Sequence, residues 1–236
     1  MSELFEFLPV SKEDMESRGW WWYDALVVGG DAYVDHPSFG TAVISRVLEA
    51  EGLRVAVLAQ PDWHDAEAFR AMGRPRLGVF IGAGNLDSMV AHYTAAKRRR
   101  SEDFYSPGKR SGCRPDRAAI VYCNRAREAF GPDVPIILGS LEASLRRFAH
   151  YDYWDDSVRR AILFDAPADL LVYGMGEAAT IEIAHRLKKK QSVRTMTDIP
   201  GTGYITRDPS VCKFDHITLP SFEDVRDDKR LYAEAT

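Results

Sequence analysis

Short apolar runs alternate with amphipathic stretches along most of this chain, and that rhythm limits the fold more than any single motif. Residues 24–30 (DALVVGG), 54–59 (RVAVLA), 77–81 (LGVFI), 134–138 (VPIIL) and 168–173 (ADLLVY) read as buried strands. Between them, residues 38–51 place Val43, Ile44, Val47 and Leu48 on one helical face, with Gly52 as a stop. Further helices are predicted over 65–72, 86–99, 116–130 and 177–190. Strands that alternate with helices pair in parallel, with helices on both faces. The prediction is an α/β fold: a Rossmann-like, flavodoxin-like parallel sheet whose ligands sit beyond the carboxyl ends of its first and third strands.

Residues 101–115 interrupt the rhythm with Pro107, Gly108, Gly112 and Pro115 among charged residues, and read as a long surface loop. After Gln191 only short strand-like pieces such as 203–206 recur, and 207–236 shows no evident core. The domain reading is therefore a Rossmann-like unit over 1–190 and an irregular C-terminal extension or linker over 191–236.

Composition narrows the classes. Hydrophobic residues make up 45% and charged residues 28% of the 236 residues, as in ordinary globular proteins. No apolar run approaches the roughly 20 residues of a membrane span, and the start, MSELFEF, puts acids where a secretory leader is basic. No membrane partner is expected, and the chain reads as a soluble cytoplasmic protein. The formal charge of −4 argues against a nucleic-acid partner despite basic clusters at 97–100 and 188–190, which read as solvated helix ends. Cys113, Cys123 and Cys212 form no CxxC pair and read as incidental thiols in a reducing compartment.

Two loops should face each other at the switch point. The first, residues 29–40, carries Asp31, Asp35, His36 and Ser38. Two carboxylates and an imidazole suit a divalent ion or a polar ligand; alternatively, the acids cap backbone amides and the imidazole makes a structural hydrogen bond. The second loop, residues 82–87, carries Asn85 and Asp87, and Asp87 would repel a pyrophosphate at a helix N-terminus. Gly174-Met175-Gly176-Glu177 fits a G-x-G turn, but Glu177 already offers negative charge to the helix that follows. After the fourth strand, Glu142 and Arg146 either hold an anionic or aromatic ligand or pair internally. No nucleophile elbow and no Walker lysine are present, so no catalytic residue is assigned.

Longer strings are more specific. GDAYVDHPSFG at 30–40, QPDW at 60–63, GNLDSM at 84–89, RPDRA at 114–118, LEASLRR at 141–147 and HYDYW at 150–154 resemble the YgiQ family of radical-SAM proteins, in family order. The resemblance implies the N-terminal domain of such a protein, similar to the cobalamin-binding domains that precede many radical-SAM barrels. Gly139 with Glu142, and residues 174–177, look like degenerate versions of the glycine turns of those domains. The resemblance places the family's [4Fe–4S] cluster, held by a CxxxCxxC motif with S-adenosylmethionine on its open iron, in a downstream barrel, and this chain lacks that motif. No cofactor is thus assigned to the chain's own residues, although the resemblance leaves cobalamin open: the D-x-H-x-x-G signature is unmet, with Asp35 and His36 adjacent. The expected role is a non-catalytic accessory or substrate-shaping domain, with the barrel as partner and an unidentified small molecule as ligand. The competing readings are a nucleic-acid-associated module and a stand-alone interaction domain.

Overall fold

The computed structural model describes residues 7–235; the acidic start over residues 1–6 and Thr236 lie outside the described residues. Six strands form the central sheet: β1 (Ala25–Gly29), β2 (Val55–Ala59), β3 (Gly78–Gly82), β4 (Ile136–Leu138), β7 (Leu170–Val172) and β8 (Thr202–Gly203). Their order is β2-β1-β3-β4-β7-β8. The first five run parallel, and β8 closes one edge antiparallel to β7. This is the flavodoxin-like order the alternation predicts. A separate hairpin joins β5 (His150–Asp152) to β6 (Ser157–Arg159).

The apolar runs are continuous because helices cover both faces of the sheet. Leu26, Val28, Val79, Ile81, Ile136 and Leu138 face α3 (Glu67–Ala71) and α5 (Ala118–Phe130). Ala25, Val27, Val55, Phe80 and Ile137 face α2 (Gly40–Ala50) and α7 (Glu177–Lys188). The remaining helices are α1 (Lys12–Ser17), α4 (Ser88–His92), α6 (Ser140–Leu145), α8 (Phe222–Asp227) and α9 (Lys229–Ala235). Val193, Met196 and Ile199 join the α7 side of the core, and Val225 of α8 is buried. The tail beyond residue 206 is therefore anchored, where the sequence shows no evident core. Among the described residues no helix is long and apolar enough to cross a membrane.

Several expectations are corrected. The buried face of α2 is Ala42, Ser45 and Leu48, not the Val43–Leu48 stripe. Small side chains let this helix lie close to the sheet, and Ser45 satisfies its hydroxyl on the Thr41 carbonyl at 2.7 Å. The helix predicted over 86–99 ends at His92: Tyr93 turns extended and Lys97 takes φ +56°. His92 Nδ1 meets Asp116 at 2.6 Å and the Tyr93 hydroxyl donates to the same carboxylate at 2.7 Å, which diverts the chain. The basic cluster at 97–100 thus forms a turn, and Arg100 Nε donates to the carbonyls of Val90 and Tyr93 at 3.2 Å. The loop over 101–115 is not simply superficial, because Asp103, Ser106 and Arg114 are buried.

Candidate functional site

Parallel neighbours β1 and β3 send their following segments to opposite faces, so a crevice opens beyond their carboxyl ends. The two loops touch there. A Cβ on Gly30 would stand 2.0 Å from the Ala83 carbonyl oxygen, so only glycine permits this approach. Gly84 has φ +113°, and a Cβ there would strike the Asp31 carboxylate.

Asp31 is buried at this contact. Its Oδ2 accepts the Asn85 N–H at 2.7 Å, and its Oδ1 lies 2.9 Å from Arg114 Nη1. Arg114, whose side chain is 0% exposed, also donates through Nε and Nη2 to both oxygens of Asp103 at 3.0 Å. Ser106 Oγ donates to Asp103 at 2.9 Å, and Gln60 Nε2 ties Ser106 Oγ to the Gly30 carbonyl. Two buried carboxylates share one guanidinium. Burial pushes the Asp31 carboxyl above its ordinary range, and Arg114 offsets only part of that rise.

The rest of the first loop is tied to α2. Asp35 is ion-paired with Arg46, which also meets Glu49 at 2.6 Å. The Asn85 side-chain amide donates to the Ser38 carbonyl at 2.8 Å and accepts the Gly40 N–H at 3.2 Å, stapling the start of α2 to the second loop. His36 is exposed, and its Nδ1 accepts the Ser38 N–H at 3.1 Å. Asp31 and Asp35 therefore face different guanidiniums, and the metal alternative gains no shared ligand set. Among the described residues no three His, Cys, Asp or Glu side chains converge as a metal ion requires.

Asp87 caps α4, accepting from Met89 N–H at 3.0 Å and Val90 N–H at 3.3 Å, and ion-pairs with Arg146. Glu142 is fully buried. It accepts from Ser88 N–H at 3.0 Å, Ser88 Oγ at 2.7 Å and, at the start of α5, Ala119 N–H at 3.1 Å. Burial pushes its carboxyl up, and the neighbouring Asp87 charge adds to the rise. Glu177 differs: it begins α7 half-exposed, without a hydrogen-bond or ion-pair partner among the described residues.

Glu177 stands at a cleft of about 300 Å³ that runs across the carboxyl ends of β1, β3, β4 and β7, between α2 and α7. Val43, Ile44, Thr41, Thr180 and Met175 line it, together with glycines from four separate turns. Its size is at the lower bound of ligand pockets, about 300–1,000 Å³. A Cβ added at Gly139 would find no neighbour within 3.6 Å, and one at Gly174 none within 4 Å, so this wall is open to whatever enters. Ser140, at φ +76°, closes the floor by accepting the Ala83 N–H on Oγ at 3.1 Å. Of the nine ligand-binding candidates read from sequence, only Glu177 lines this cleft, together with the glycine-turn residues Gly139, Gly174, Met175 and Gly176. The glycine turns at 139 and 174–177 are legible in the sequence, but the aliphatic positions that complete the cleft come from five separate stretches of the chain and carry no local motif. Arg114 lay inside a family-like string, yet nothing in its spacing announced a buried ion pair.

Comparison with known proteins agrees with this architecture. The sequence profile of the family described as "Radical SAM N-terminal" matches residues 7–236. A UPF0313 protein of Clostridium botulinum strain 657 is 56% identical over 230 residues, covering 98% of this chain and 36% of that protein. A UPF0313 protein of Clostridium perfringens strain SM101 is 54% identical over 229 residues, covering 97% and 34%. The chain thus spans about a third of the length of the curated relatives it matches. Among solved structures, the radical S-adenosylmethionine methyltransferase TsrM from Kitasatospora setae, with cobalamin and a [4Fe–4S] cluster bound, matches with TM-score 0.50. That match is 21% identical over 78% of this chain and 27% of TsrM, a likeness of fold.

Proposed function

The chain belongs to the Radical SAM N-terminal family, and on that premise we propose that it is the non-catalytic front domain of a radical-SAM enzyme, holding a flat, largely apolar accessory ligand or shaping the substrate entrance beside the catalytic part. The observation that carries this reading is the glycine-lined cleft at the switch point, where ligands of open α/β sheets gather. The family's iron–sulfur cluster does not fit this chain. Cys123 is sealed in the core on α5, while Cys113 and Cys212 lie in separate loops. Cluster and S-adenosylmethionine are therefore referred to the part of the enzyme beyond these residues, and no chemical step is assigned here.

Cobalamin fits the cleft in one respect. The apolar floor and the open glycine wall suit the aromatic base of its nucleotide tail. No histidine lines the cleft, and His36 lies outside it, so this chain would hold the group by its tail without a histidine on cobalt. Bound cobalamin supplies a cobalt centre for radical or alkyl-transfer chemistry. Two measurements test the proposal. Hydroxocobalamin should co-elute with the 236-residue chain and show a shifted absorption spectrum, and Val43→Trp, which fills the cleft, should weaken that binding at least ~10-fold with the fold retained. Failure to co-elute excludes cobalamin as the ligand. Reductive cleavage of S-adenosylmethionine by this chain alone would overturn the non-catalytic role.

A further inference from the structure

A second groove, about 530 Å³, opens on the same edge of the sheet between α4, α6 and the β5–β6 hairpin. Val90, Leu145, Tyr151, Tyr153 and Trp154 line it. Leu145 keeps 59% and Tyr153 47% of its surface in solvent, a high exposure for clustered side chains of this kind. The aromatic wall is fixed: Tyr93 and Tyr153 each place a ring centroid 5.3 Å from that of Trp154, and the Tyr153 hydroxyl donates to the Ala95 carbonyl at 2.5 Å. Both carboxylates of the groove are ion-paired within the chain, while the Arg100 guanidinium keeps its charge. Arg146 pairs with Asp87, Asp152 meets Arg117 at 2.8 Å, and Arg100 is turned onto backbone carbonyls. Aromatic and aliphatic surface with few free charges has the make-up of an interface core.

The course of the chain says what covers it. Helix α8 packs against β6, and the Tyr232 hydroxyl of α9 accepts the Tyr151 N–H at 3.0 Å. The last described residues therefore lie against the hairpin that forms one wall of the groove. A segment continuing from there reaches this groove at a smaller loop-closure cost than any surface on the far edge.

We propose that this groove seats an apolar segment following residue 236 in the full-length protein, and so holds the catalytic part over the carboxyl edge of the sheet. The proposal rests on the reading that this chain is the front of a longer radical-SAM enzyme.

The test places the photo-crosslinking residue p-benzoylphenylalanine at position 145 or 153 of the full-length protein, with position 21 as control. Trp21 precedes β1 at the opposite end of the sheet and is 83% exposed. The expected result is crosslinks from 145 and 153 to peptides beyond residue 236 of the same chain, with a yield independent of protein concentration, and none from 21. Crosslinks beyond residue 236 from position 21 alone would overturn the seat and leave the front-domain reading standing. Crosslinks between copies whose yield rises with concentration would overturn it in favour of self-association. Crosslinks confined to residues 7–235 would also overturn it.

Discussion

The two sides of the switch point are built from opposite materials. On one side, Asp31, Asp103, Arg114, Ser88 and Glu142 are buried and bonded to one another or to backbone amides. On the other, the cleft between α2 and α7 is aliphatic and glycine-lined, with the Glu177 carboxylate free among the described residues. Polar density in a loop sequence here marks scaffolding, since buried polar groups must find partners inside the protein. The open space of the switch point lies where small residues keep the backbone bare.

The sharpest way to break this contrast is to remove the scaffold's cation. Arg114→Met leaves two buried carboxylates without a counter-charge and should cost about 3–5 kcal/mol in urea unfolding. A loss below ~1 kcal/mol would mean that Asp31 and Asp103 find other partners and that the ion pair is not what joins the loops. Glu142→Gln comes next, because an amide cannot accept from both the Ser88 and Ala119 N–H groups, and about 1–3 kcal/mol should be lost. This variant also carries a pH signature. The folded Glu142 carboxyl is raised by burial, so its contribution to stability is complete below the ordinary carboxylate range and is lost as pH rises through the folded value. The stability gap between the parent and Glu142→Gln should therefore narrow from about pH 4 towards neutrality. A gap that widened over that window would place a stabilised charge, not a costly one, at position 142.

The contrast also explains what could be read in advance. Strands buried on both faces need continuous apolar runs, so DALVVGG and RVAVLA announced themselves, and five alternating strand–helix units suggested the flavodoxin-like order. The end of α4 at His92 was not legible, because it depends on Asp116, which is 24 residues away in sequence. The partners of Asp31 were hidden for the same reason: Arg114 reaches it from a loop whose glycines and prolines look like exposed linker. Polar candidates could be found one at a time, but their mutual pairing is a property of the fold. Among the nine candidates, Asp87 caps α4, Asn85 staples the start of α2, and Asp35 and Arg146 are ion-paired.

Smaller effects separate loop from cleft. Asn85→Ala removes both hydrogen bonds that staple the start of α2 and should cost about 1 kcal/mol, read as a lower urea midpoint with an unchanged slope. His36→Ala should change stability by no more than ~0.5 kcal/mol, because the imidazole is exposed and accepts a single backbone N–H. That near-neutrality makes it the cleanest probe of where a ligand is held. If the cleft alone holds hydroxocobalamin, the affinity of His36→Ala equals that of the parent while Val43→Trp loses it. If His36 reaches cobalt, the affinity falls with the fold intact, and the exposed imidazole of the first loop, not the glycine wall, becomes the anchoring group.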